Sequence, residues 1–293
     1  MEIKGKFTLK KNREDAVLRF HPWIFSGAIA SVEGKPVDGD IVEIYSSKGE
    51  YLATGHALPG SISIKIFSFG PEKPKKTIWF DKISDAYNRR KSLGLVDDPQ
   101  NNSYRLIFSE GDGLPGLIID LYNGVAVIQA HSIGMYLLRN EMTEALKKIY
   151  GKKLLAVYDK SAEALGKSGS ESTGDAFLFG NVESIEILEN GNRFQVDFTT
   201  GQKTGFYLDQ RNNRALLAHY AKGRNVLNTF CYTGGFSVYA LNAGAKKVTS
   251  VDSSKRAIEL LEKNIEINKF SSDNHSSVVA DAKQFLADMH DNY

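Results

Sequence analysis

The order of apolar and polar positions changes character twice along the chain. In residues 1–75 apolar residues alternate with polar ones, as in Ile41–Tyr45 and Ser61–Phe67, and turn residues such as Pro59-Gly60 separate these runs. A period of two is typical of half-buried strands, and closely spaced short strands favour a small barrel. We therefore predict a β-barrel domain over residues 1–75, bounded by the proline- and lysine-rich segment 71–76.

The middle stretch, residues 76–200, mixes helical and strand patterns. Apolar spacing predicts a linker helix from Asp81, its cap, to about Leu93, and a second helix over Tyr136–Tyr150. Mostly apolar runs between turn residues predict strands. The predicted strands are Tyr104–Ser109, Leu117–Tyr122, Val125–Ala130, Leu154–Tyr158, Val182–Leu188 and Arg193–Phe198. This mixture indicates a central α+β domain.

Residues 201–293 alternate strand and helix. Asp209 is predicted to cap a helix that runs to about Ala221. Three buried strands and two helices follow it: strands Asn225–Phe230, Lys247–Val251 and Ser277–Ala280, and helices that end at Asn242 and cover Lys255–Asn268. This order is the first half of a doubly wound parallel sheet. The fold class is therefore α/β, with a barrel, an α+β domain and a Rossmann-like C-terminal domain that stops after its third strand.

Composition excludes several classes of protein. The 293 residues are 42% hydrophobic and 25% charged, which is ordinary for globular proteins. One cysteine excludes a disulfide framework, and the six histidines lack metal-ligand spacing, so no metal is expected. No apolar run could cross a bilayer and the N-terminus lacks a hydrophobic signal core, so we expect a cytoplasmic protein that binds no membrane. The net charge of +2 neither favours nor excludes nucleic acid.

Three features predict a nucleoside site at the carboxyl ends of the parallel strands. Gly234-Gly235 follows the first strand, Asp252 ends the second, and Asp281 ends the third. Adjacent glycines allow close backbone approach, and a strand-end carboxylate can accept both hydroxyls of a ribose. Neither a G-x-G-x-x-G string nor a phosphate loop is present, so an adenosine without phosphates, S-adenosylmethionine (SAM), fits best. The alternative is a tight turn with two helix-capping aspartates.

Several motifs resemble one protein family over essentially the whole chain, in order. They are His21–Phe25, Tyr104–Gly116, Gly201–Arg214, Val226–Ser237 and Val251–Ser254. These strings resemble the class I methyltransferases that make 5-methylcytosine in large-subunit ribosomal RNA. The resemblance implies a PUA-like RNA-binding barrel over 1–75, a linker helix with the central domain over 76–200, and the N-terminal half of a SAM-dependent methyltransferase domain over 201–293.

The resemblance also implies roles for individual residues. Tyr232–Gly235 would hold the methionine end of SAM, Asp252 the ribose and Asp281 the adenine side, while the loop Gln202–Phe206 with Asp209 would close over the site. The expected cofactor contacts are Lys203, Phe206, Asp209, Asn228, Phe230, Tyr232, Thr233, Gly234, Gly235, Phe236, Asp252, Ser253, Asp281 and Ala282.

The charges of this loop leave an alternative open. A lysine beside a sulfonium is unfavourable, so Lys203 is expected to meet the methionine carboxylate or an RNA phosphate. The alternative is that Lys203 and Arg211 are solvated loop charges.

The family's fourth strand, its Asp-Pro-Pro motif and a later cysteine have no counterpart before Tyr293. We therefore expect a truncated chain whose catalytic nucleophile would lie beyond that residue. Carbon 5 of cytosine becomes reactive when a cysteine thiolate adds to carbon 6, and the one cysteine here, Cys231, is expected to be a small core or turn residue. The chain is thus predicted to be inactive, and its half sheet to expose apolar surface that favours a homodimer or low solubility.

Basic residues near aromatic ones predict contacts with ribosomal RNA. The expected RNA-binding residues are Lys10, Lys11, Arg13, Arg19, Arg89 and Arg90. The alternatives are that Trp23 and Phe25 belong to the barrel core and that the arginines lie on a solvated helix face, whereas the acidic segment Glu110–Gly113 is expected to be a structural turn.

Two other functions compete with methyl transfer. One is a non-catalytic RNA-binding protein on a methyltransferase-like scaffold, and the other is a nicotinamide dehydrogenase, which the glycine spacing disfavours. The sequence leaves the target nucleotide, its base and the oligomeric state open.

Overall fold

A computed structural model describes residues 1–166 and 174–291 of the chain. Contacts group the chain into two compact units. Unit 1 holds Met1–Val96 and Arg105–Val182, and unit 2 holds Asp97–Tyr104 and the residues from Glu183 onward. The first two predicted domains thus share one unit, and the second unit begins before residue 201 because a strand hairpin packs with the parallel sheet.

Unit 1 opens with a six-stranded sheet. Its strands are β1 (Gly5–Leu9), β2 (Trp23–Phe25), β3 (Ile29–Gly34), β4 (Ile41–Tyr45), β5 (Tyr51–Ala57) and β6 (Ile62–Phe69), with the short helix α1 (Asp15–Leu18) before β2. The strand order is β2-β6-β5-β4-β1-β3, and all pairs are antiparallel except β1 with β4. Alternate side chains such as Phe7, Ile44 and Ile64 form one buried core, as the period-two pattern predicted.

A second, five-stranded sheet follows. Its elements are α2 (Ile78–Ser92), β7 (Ser103–Phe108), β8 (Leu117–Tyr122), β9 (Val125–Ala130), α3 (Ile133–Leu137), α4 (Arg139–Tyr150), β10 (Ala156–Asp159), α5 (Ala162–Leu165) and β11 (Ala176–Phe179). The strand order is β11-β10-β9-β8-β7.

Three details of this region differ from the sequence prediction. Helix α2 begins at Ile78, so Asp81 is not its cap; the Asp81 carboxylate instead accepts a hydrogen bond from the Thr77 hydroxyl at 2.8 Å. The helix predicted over 136–150 is two helices, because the backbone of Leu138 (φ −93°, ψ 5°) leaves α-helical geometry. Strand β11 was not predicted at all.

Unit 2 combines a hairpin with a parallel sheet. The hairpin is β12 (Ile185–Glu189) and β13 (Asn192–Val196), and the later elements are α6 (Arg211–Ala221), β14 (Asn225–Thr229), α7 (Gly235–Asn242), β15 (Lys247–Asp252), α8 (Lys255–Ile267), β16 (His275–Val279) and α9 (Ala282–Asp291). Strands β14, β15 and β16 are neighbours in that order and all run parallel. The predicted first half of a doubly wound sheet is therefore confirmed.

Strand β14 lies at an edge of this described sheet. Leu227 in β14 is 40% exposed and lines an open cavity with Phe285 and Met289 of α9. The expected apolar surface beside the first strand is thus present, while homodimer formation stays a prediction. In the described part of the chain, no helix has the length and apolarity that a membrane span requires.

Candidate cofactor site

The segment Phe230–Gly235, here called the cofactor turn, joins β14 to α7. Phe230 (φ 57°), Tyr232 (φ 47°) and Gly234 (φ 78°) all have left-handed backbones, and the first two are not glycine. The Phe230 ring is 74% exposed. Strained backbone conformations are concentrated at ligand-binding sites. Here they lie, together with an exposed aromatic ring, at the carboxyl end of the first parallel strand, where such sheets bind ligands.

Asp252, at the end of β15, shapes this turn. Its Oδ2 accepts the backbone N–H of Tyr232 at 2.9 Å, and its Oδ1 accepts the N–H of Ser254 at 2.9 Å. The structure therefore brings Asp252 and the cofactor turn together, as predicted from their strand-end positions. Because each carboxylate oxygen has two lone pairs, the half-buried side chain keeps acceptor capacity for the hydroxyls of a ribose.

The two glycines of the turn are required by the protein's own packing. A Cβ atom on Gly234 would lie 2.7 Å from Cγ of Leu261 in α8, and one on Gly235 would lie 3.0 Å from Cδ of Arg214 in α6. At both positions the close neighbour is a side chain of this chain, and the expected close approach of a ligand to the glycine pair stays a prediction.

The loop before α6 reaches the cofactor turn through Tyr232. The Tyr232 hydroxyl accepts the N–H of Gln202 at 3.0 Å and donates to the carbonyl of Gly205 at 3.2 Å. Its ring also meets the ring of Tyr207 edge-on, with 5.6 Å between centroids. Burial raises the pKa of Tyr232 to about 12, so the hydroxyl stays protonated and can donate. The loop thus contacts the cofactor turn, and its expected closure over a bound cofactor stays a prediction.

Individual loop residues differ in their access to a ligand. Lys203, with a left-handed backbone, and Asp209 are exposed. Phe206 is instead buried against Phe194, at 5.1 Å between ring centroids, so a direct cofactor contact is not available to it. Asp209 is not the cap of α6, because Gln210 precedes that helix and Asp209 lies in a short 3-10 turn before it.

Two arginines of the 201–214 motif are anchored in a buried ion cluster. Glu189 at the end of β12 accepts Arg214 Nε at 2.7 Å and Nη2 at 2.8 Å, and Arg211 Nε at 3.3 Å. Tyr239 of α7 donates its hydroxyl to the same carboxylate at 3.1 Å. Glu189 is completely buried. The alternative that Arg211 is a solvated loop charge is therefore wrong.

Asp281 is a helix cap, as the alternative interpretation proposed. Its Oδ1 accepts the N–H groups of Lys283 at 2.9 Å and Gln284 at 3.1 Å at the start of α9. The side chain is exposed, so Oδ2 can still face a ligand, whereas the neighbouring Ala282 is buried. Of the other expected contacts, Ser253 is exposed and Phe236 is half-buried.

Asn228 and Thr233 face the protein interior. The Asn228 amide donates to the Ser237 hydroxyl at 2.8 Å, which lies 2.7 Å from the Ser250 hydroxyl. The network continues to His275 at 3.0 Å. Thr233 is buried in the turn. Both residues therefore support the turn and the sheet. The buried Thr233 can offer a ligand only its backbone groups, whereas the half-buried Asn228 remains a candidate contact.

Cys231 is unsuited to be a nucleophile. It is the one cysteine of the 293 residues and is buried inside the cofactor turn. Burial, with a smaller contribution from the negative charge of Asp252, raises the pKa of the Cys231 thiol to about 12. Since the thiolate is the reactive form, the expectation that Cys231 is a small turn residue is confirmed.

Some of the expected RNA-binding residues are exposed to a ligand, and one is not. Lys11, Arg13 and Arg19 are exposed, as is Lys10, whose Nζ donates to the carbonyl of Gly27 at 2.9 Å. The expectation that Arg90 binds RNA is wrong.

The Arg90 guanidinium binds both oxygens of the buried Asp112 carboxylate at 2.5 and 2.7 Å, and its side chain is only 12% exposed. Arg89 is 3.5 Å from Asp112 and remains exposed. The acidic segment is thus a structural turn, as predicted.

The aromatic side chains of β2 do not belong to the barrel core. Phe25 is 48% exposed and Trp23 is half-buried, whereas Ile24 between them is buried, because side chains alternate across a strand. The His21 ring lies 6.0 Å from Trp23 and 6.4 Å from Phe25, so these rings form an exposed aromatic cluster. The core alternative for Trp23 and Phe25 is therefore wrong.

Sequence reasoning missed two buried polar residues of this site, Glu189 and Asn264. Glu189 occupies an inward position of β12, where an apolar residue would be expected, and that conflict was the only signal. Asn264 lies within the apolar stripe of α8, and a polar residue at such a position was likewise the only indication of its role.

Comparison with known proteins agrees with this geometry. Residues 7–69 match the PUA-like domain family, and residues 167–280 match the S-adenosylmethionine-dependent methyltransferase family. Ribosomal RNA large subunit methyltransferase I of Aeromonas hydrophila is 40% identical over 289 residues, which are 97% of this chain and 72% of that protein. The chain belongs to the ribosomal RNA large subunit methyltransferase I family. The protein of that name from Tolumonas auensis is 42% identical over 265 residues, 89% of this chain and 66% of its own length.

Solved structures share the fold. A protein from Streptococcus mutans assigned as a SAM-dependent methyltransferase has a TM-score of 0.82 at 27% identity, and the match covers 99% of this chain and 74% of that one. A second structure, assigned as a methyltransferase complexed with S-adenosylhomocysteine (SAH), has the same TM-score and sequence identity. The match covers 99% of this chain and 73% of the chain in that structure.

Family membership establishes the class of enzyme and cofactor. The chain is a SAM-dependent methyltransferase with a PUA-like domain, and the residues present fit this cofactor, because Asp252 keeps free acceptor positions beside an exposed Phe230. The chain spans 66% and 72% of the length of the two curated relatives described above. The expected truncation and inactivity are not confirmed by these comparisons.

Proposed function

We propose that this protein serves the methylation of carbon 5 of a cytosine in large-subunit ribosomal RNA, and that its 293 residues supply the SAM-binding part. The curated relatives are named as ribosomal RNA large subunit methyltransferases, which supports this class of substrate. The observation that carries the cofactor part is the hydrogen bond between Asp252 and the strained cofactor turn. The choice of cytosine C5 rests on the motif resemblance.

In the proposed complex, Asp252 accepts the two ribose hydroxyls of SAM. The exposed Oδ2 of Asp281 faces the adenine side, and the backbone of Tyr232–Gly235 meets the methionine end. Lys203, exposed on the adjoining loop, pairs with the methionine carboxylate, because a cation beside the sulfonium itself would be repelled. SAM supplies the methyl group, and the residues described here orient it.

Replacing Asp252 by Asn tests this site. The variant keeps one side-chain oxygen for the turn but loses the charge that binds the ribose, and a hydrogen bond to a charged group contributes about 1.5–3 kcal/mol. We expect SAM and SAH to bind at least about tenfold more weakly by isothermal titration calorimetry. The exposed Asp273→Asn variant is the control and should bind like wild type. Equal affinity of Asp252→Asn and wild type would place the ribose elsewhere.

The proposed chemistry needs a thiolate that this chain does not offer. A thiolate adds to C6, and C5 then attacks the sulfonium methyl, which breaks the S–CH3 bond and releases SAH. Loss of the C5 proton then breaks the C6–S bond and expels the thiolate. Cys231 cannot supply it, because the thiol is buried and its pKa is about 12. We therefore propose that these 293 residues bind SAM without methylating cytosine.

Radiolabelled methyl transfer to large-subunit ribosomal RNA checks this, with a curated relative as positive control. Label on cytosine C5 after incubation with the 293 residues alone contradicts this proposal.

The buried Cys231 also favours a second candidate, a non-catalytic RNA-binding protein on a methyltransferase-like scaffold. SAM affinity separates the two candidates. The first requires measurable SAM binding that depends on Asp252, and the second requires RNA binding without it.

A further inference from the structure

The hairpin β12–β13 lies outside the parallel sheet, yet two buried polar links join it to the cofactor turn. In one link, the side chain of Asn264 in α8 connects β13 to Thr233. In the other, Glu189 holds Arg214 against Gly235. Both links end on the backbone segment that is proposed to meet the methionine end of SAM.

The Asn264 link uses both ends of one amide. Its Oδ1 accepts the N–H of Gln195 at 2.8 Å, and its Nδ2 donates to the carbonyl of Thr233 at 2.8 Å. The residue is completely buried, so water cannot replace either partner. Thr233 lies between the two left-handed residues Tyr232 and Gly234, where the backbone relaxes unless it is held.

The Glu189 link supports the same turn from its other side. The Arg214 side chain passes over Gly235 and donates from Nη2 to the carbonyl of Tyr207 at 3.0 Å. Glu189 fixes this guanidinium by its two short hydrogen bonds. Through Arg214, the hairpin is therefore linked both to the start of α7 and to the loop that approaches Tyr232.

We propose that Asn264 is a positioning residue for SAM: it holds the Thr233 carbonyl, and thereby the left-handed cofactor turn, in the conformation that binds the cofactor. This proposal rests on the proposed cofactor site. Without the Nδ2 donor the turn samples other conformations, and apparent affinity falls in proportion to the fraction that remains competent.

The test compares Asn264 in α8 with Asn268, which directly follows the last residue of that helix. Asn264→Asp keeps an acceptor for Gln195 but loses the donor to Thr233. Asn268→Asp makes the same change at a residue that accepts the N–H of Arg193 at 2.9 Å and donates from Nδ2 to the Arg193 carbonyl at 2.7 Å. Its Nδ2 also donates to the backbone carbonyl of Asn264 at 2.7 Å, but the side chain makes no contact with Thr233 among the described hydrogen bonds. We expect Asn264→Asp to weaken SAH binding at least tenfold by calorimetry, and Asn268→Asp to change it less than twofold.

Thermal unfolding of the SAH-free proteins separates positioning from general destabilisation. The proposal holds when Asn264→Asp remains folded at the temperature of titration and still loses affinity. It is overturned when the folded variant binds SAH as wild type does, or when Asn268→Asp loses affinity equally. If a buried aspartate prevents folding, Asn264→Ala paired with Asn268→Ala gives the same comparison.

The Asp252→Asn variant distinguishes failure of the proposed cofactor site from failure of the proposed positioning role of Asn264. Lost binding in Asp252→Asn with unchanged binding in Asn264→Asp overturns the positioning role and leaves the cofactor site standing. Unchanged binding in Asp252→Asn overturns the cofactor site, and with it the positioning role that depends on it.

Discussion

At the scale of single residues, burial decides which side chains carry charge. His56 on β5 is 1% exposed, and its ring lies 4.9 Å from Phe67 and stacks on Trp79 at 6.0 Å. Burial, with a smaller contribution from the positive charge of Lys65, lowers the pKa of His56 to about 4. The imidazole is therefore neutral in the folded protein across the physiological range.

This depressed pKa predicts an acid-sensitive stability. Below its ordinary pKa of 6.5 the unfolded histidine binds a proton that the folded one cannot, so stability falls as the pH drops from 6.5 towards 4. From pH 7 to pH 5 we expect wild type to lose about 2 kcal/mol more unfolding free energy than His56→Gln. Urea unfolding of both proteins at the two pH values measures the difference. Equal losses would show that His56 titrates normally in the fold.

At the scale of elements, a buried ion cluster joins β12 to two helices. Glu189 binds Arg211 and Arg214 of α6 and Tyr239 of α7. From the string Gly201–Arg214, sequence analysis predicted a loop that closes over a ligand and the start of a helix. It predicted no partner for Arg214, because Glu189 is distant in sequence. Its last arginine, Arg214, is in fact a buried residue of the ion cluster.

Breaking this cluster should strongly destabilise unit 2. Glu189→Gln leaves the buried Arg214 charge without its partner, and removing one member of a buried pair costs about 3–5 kcal/mol. The matched control is Glu186→Gln on the same hairpin, whose exposed pair with Arg193 should contribute about 0–1 kcal/mol. Equilibrium denaturation of both variants checks the contrast. Similar small effects would mean that the cluster is solvated in solution.

At the scale of the whole molecule, the two activities of the proposed enzyme belong to different units. Unit 2 carries the cofactor site, and unit 1 carries the exposed aromatic cluster of β2 beside exposed basic residues. The Trp23 indole N–H also donates to Glu110 at 3.0 Å, which fixes the ring within the cluster. Basic groups beside accessible rings favour phosphate contact together with base stacking.

Phe25 should contribute stacking energy to RNA binding. Loss of one base–aromatic stack costs about 1–3 kcal/mol, so Phe25→Leu should weaken binding of single-stranded RNA, whereas Phe25→Tyr should retain it. The control is Tyr220→Leu, which removes an aromatic side chain that is 71% exposed on α6 of the other unit. Fluorescence anisotropy with a labelled single-stranded oligonucleotide measures the affinities. Equal binding by the leucine and tyrosine variants at position 25 would exclude stacking there.

Local sequence patterns determined most of the elements of this protein, although not β11 or the break between α3 and α4. Strands β4, β8 and β9 and the order of the parallel sheet follow from apolar periodicity and turn residues, because both act between neighbours in the chain. The strand-end position of Asp252 likewise follows from the topology of such sheets.

Only the tertiary structure decided which polar groups are buried, and with what partners. Glu189 meets Arg214 across 25 residues and Gln195 meets Asn264 across 69, and no local pattern encodes either contact. The exposure of Phe25 and the burial of Arg90 were decided in the same way. Burial depends on what packs against a residue, and long-range pairing of elements sets that packing.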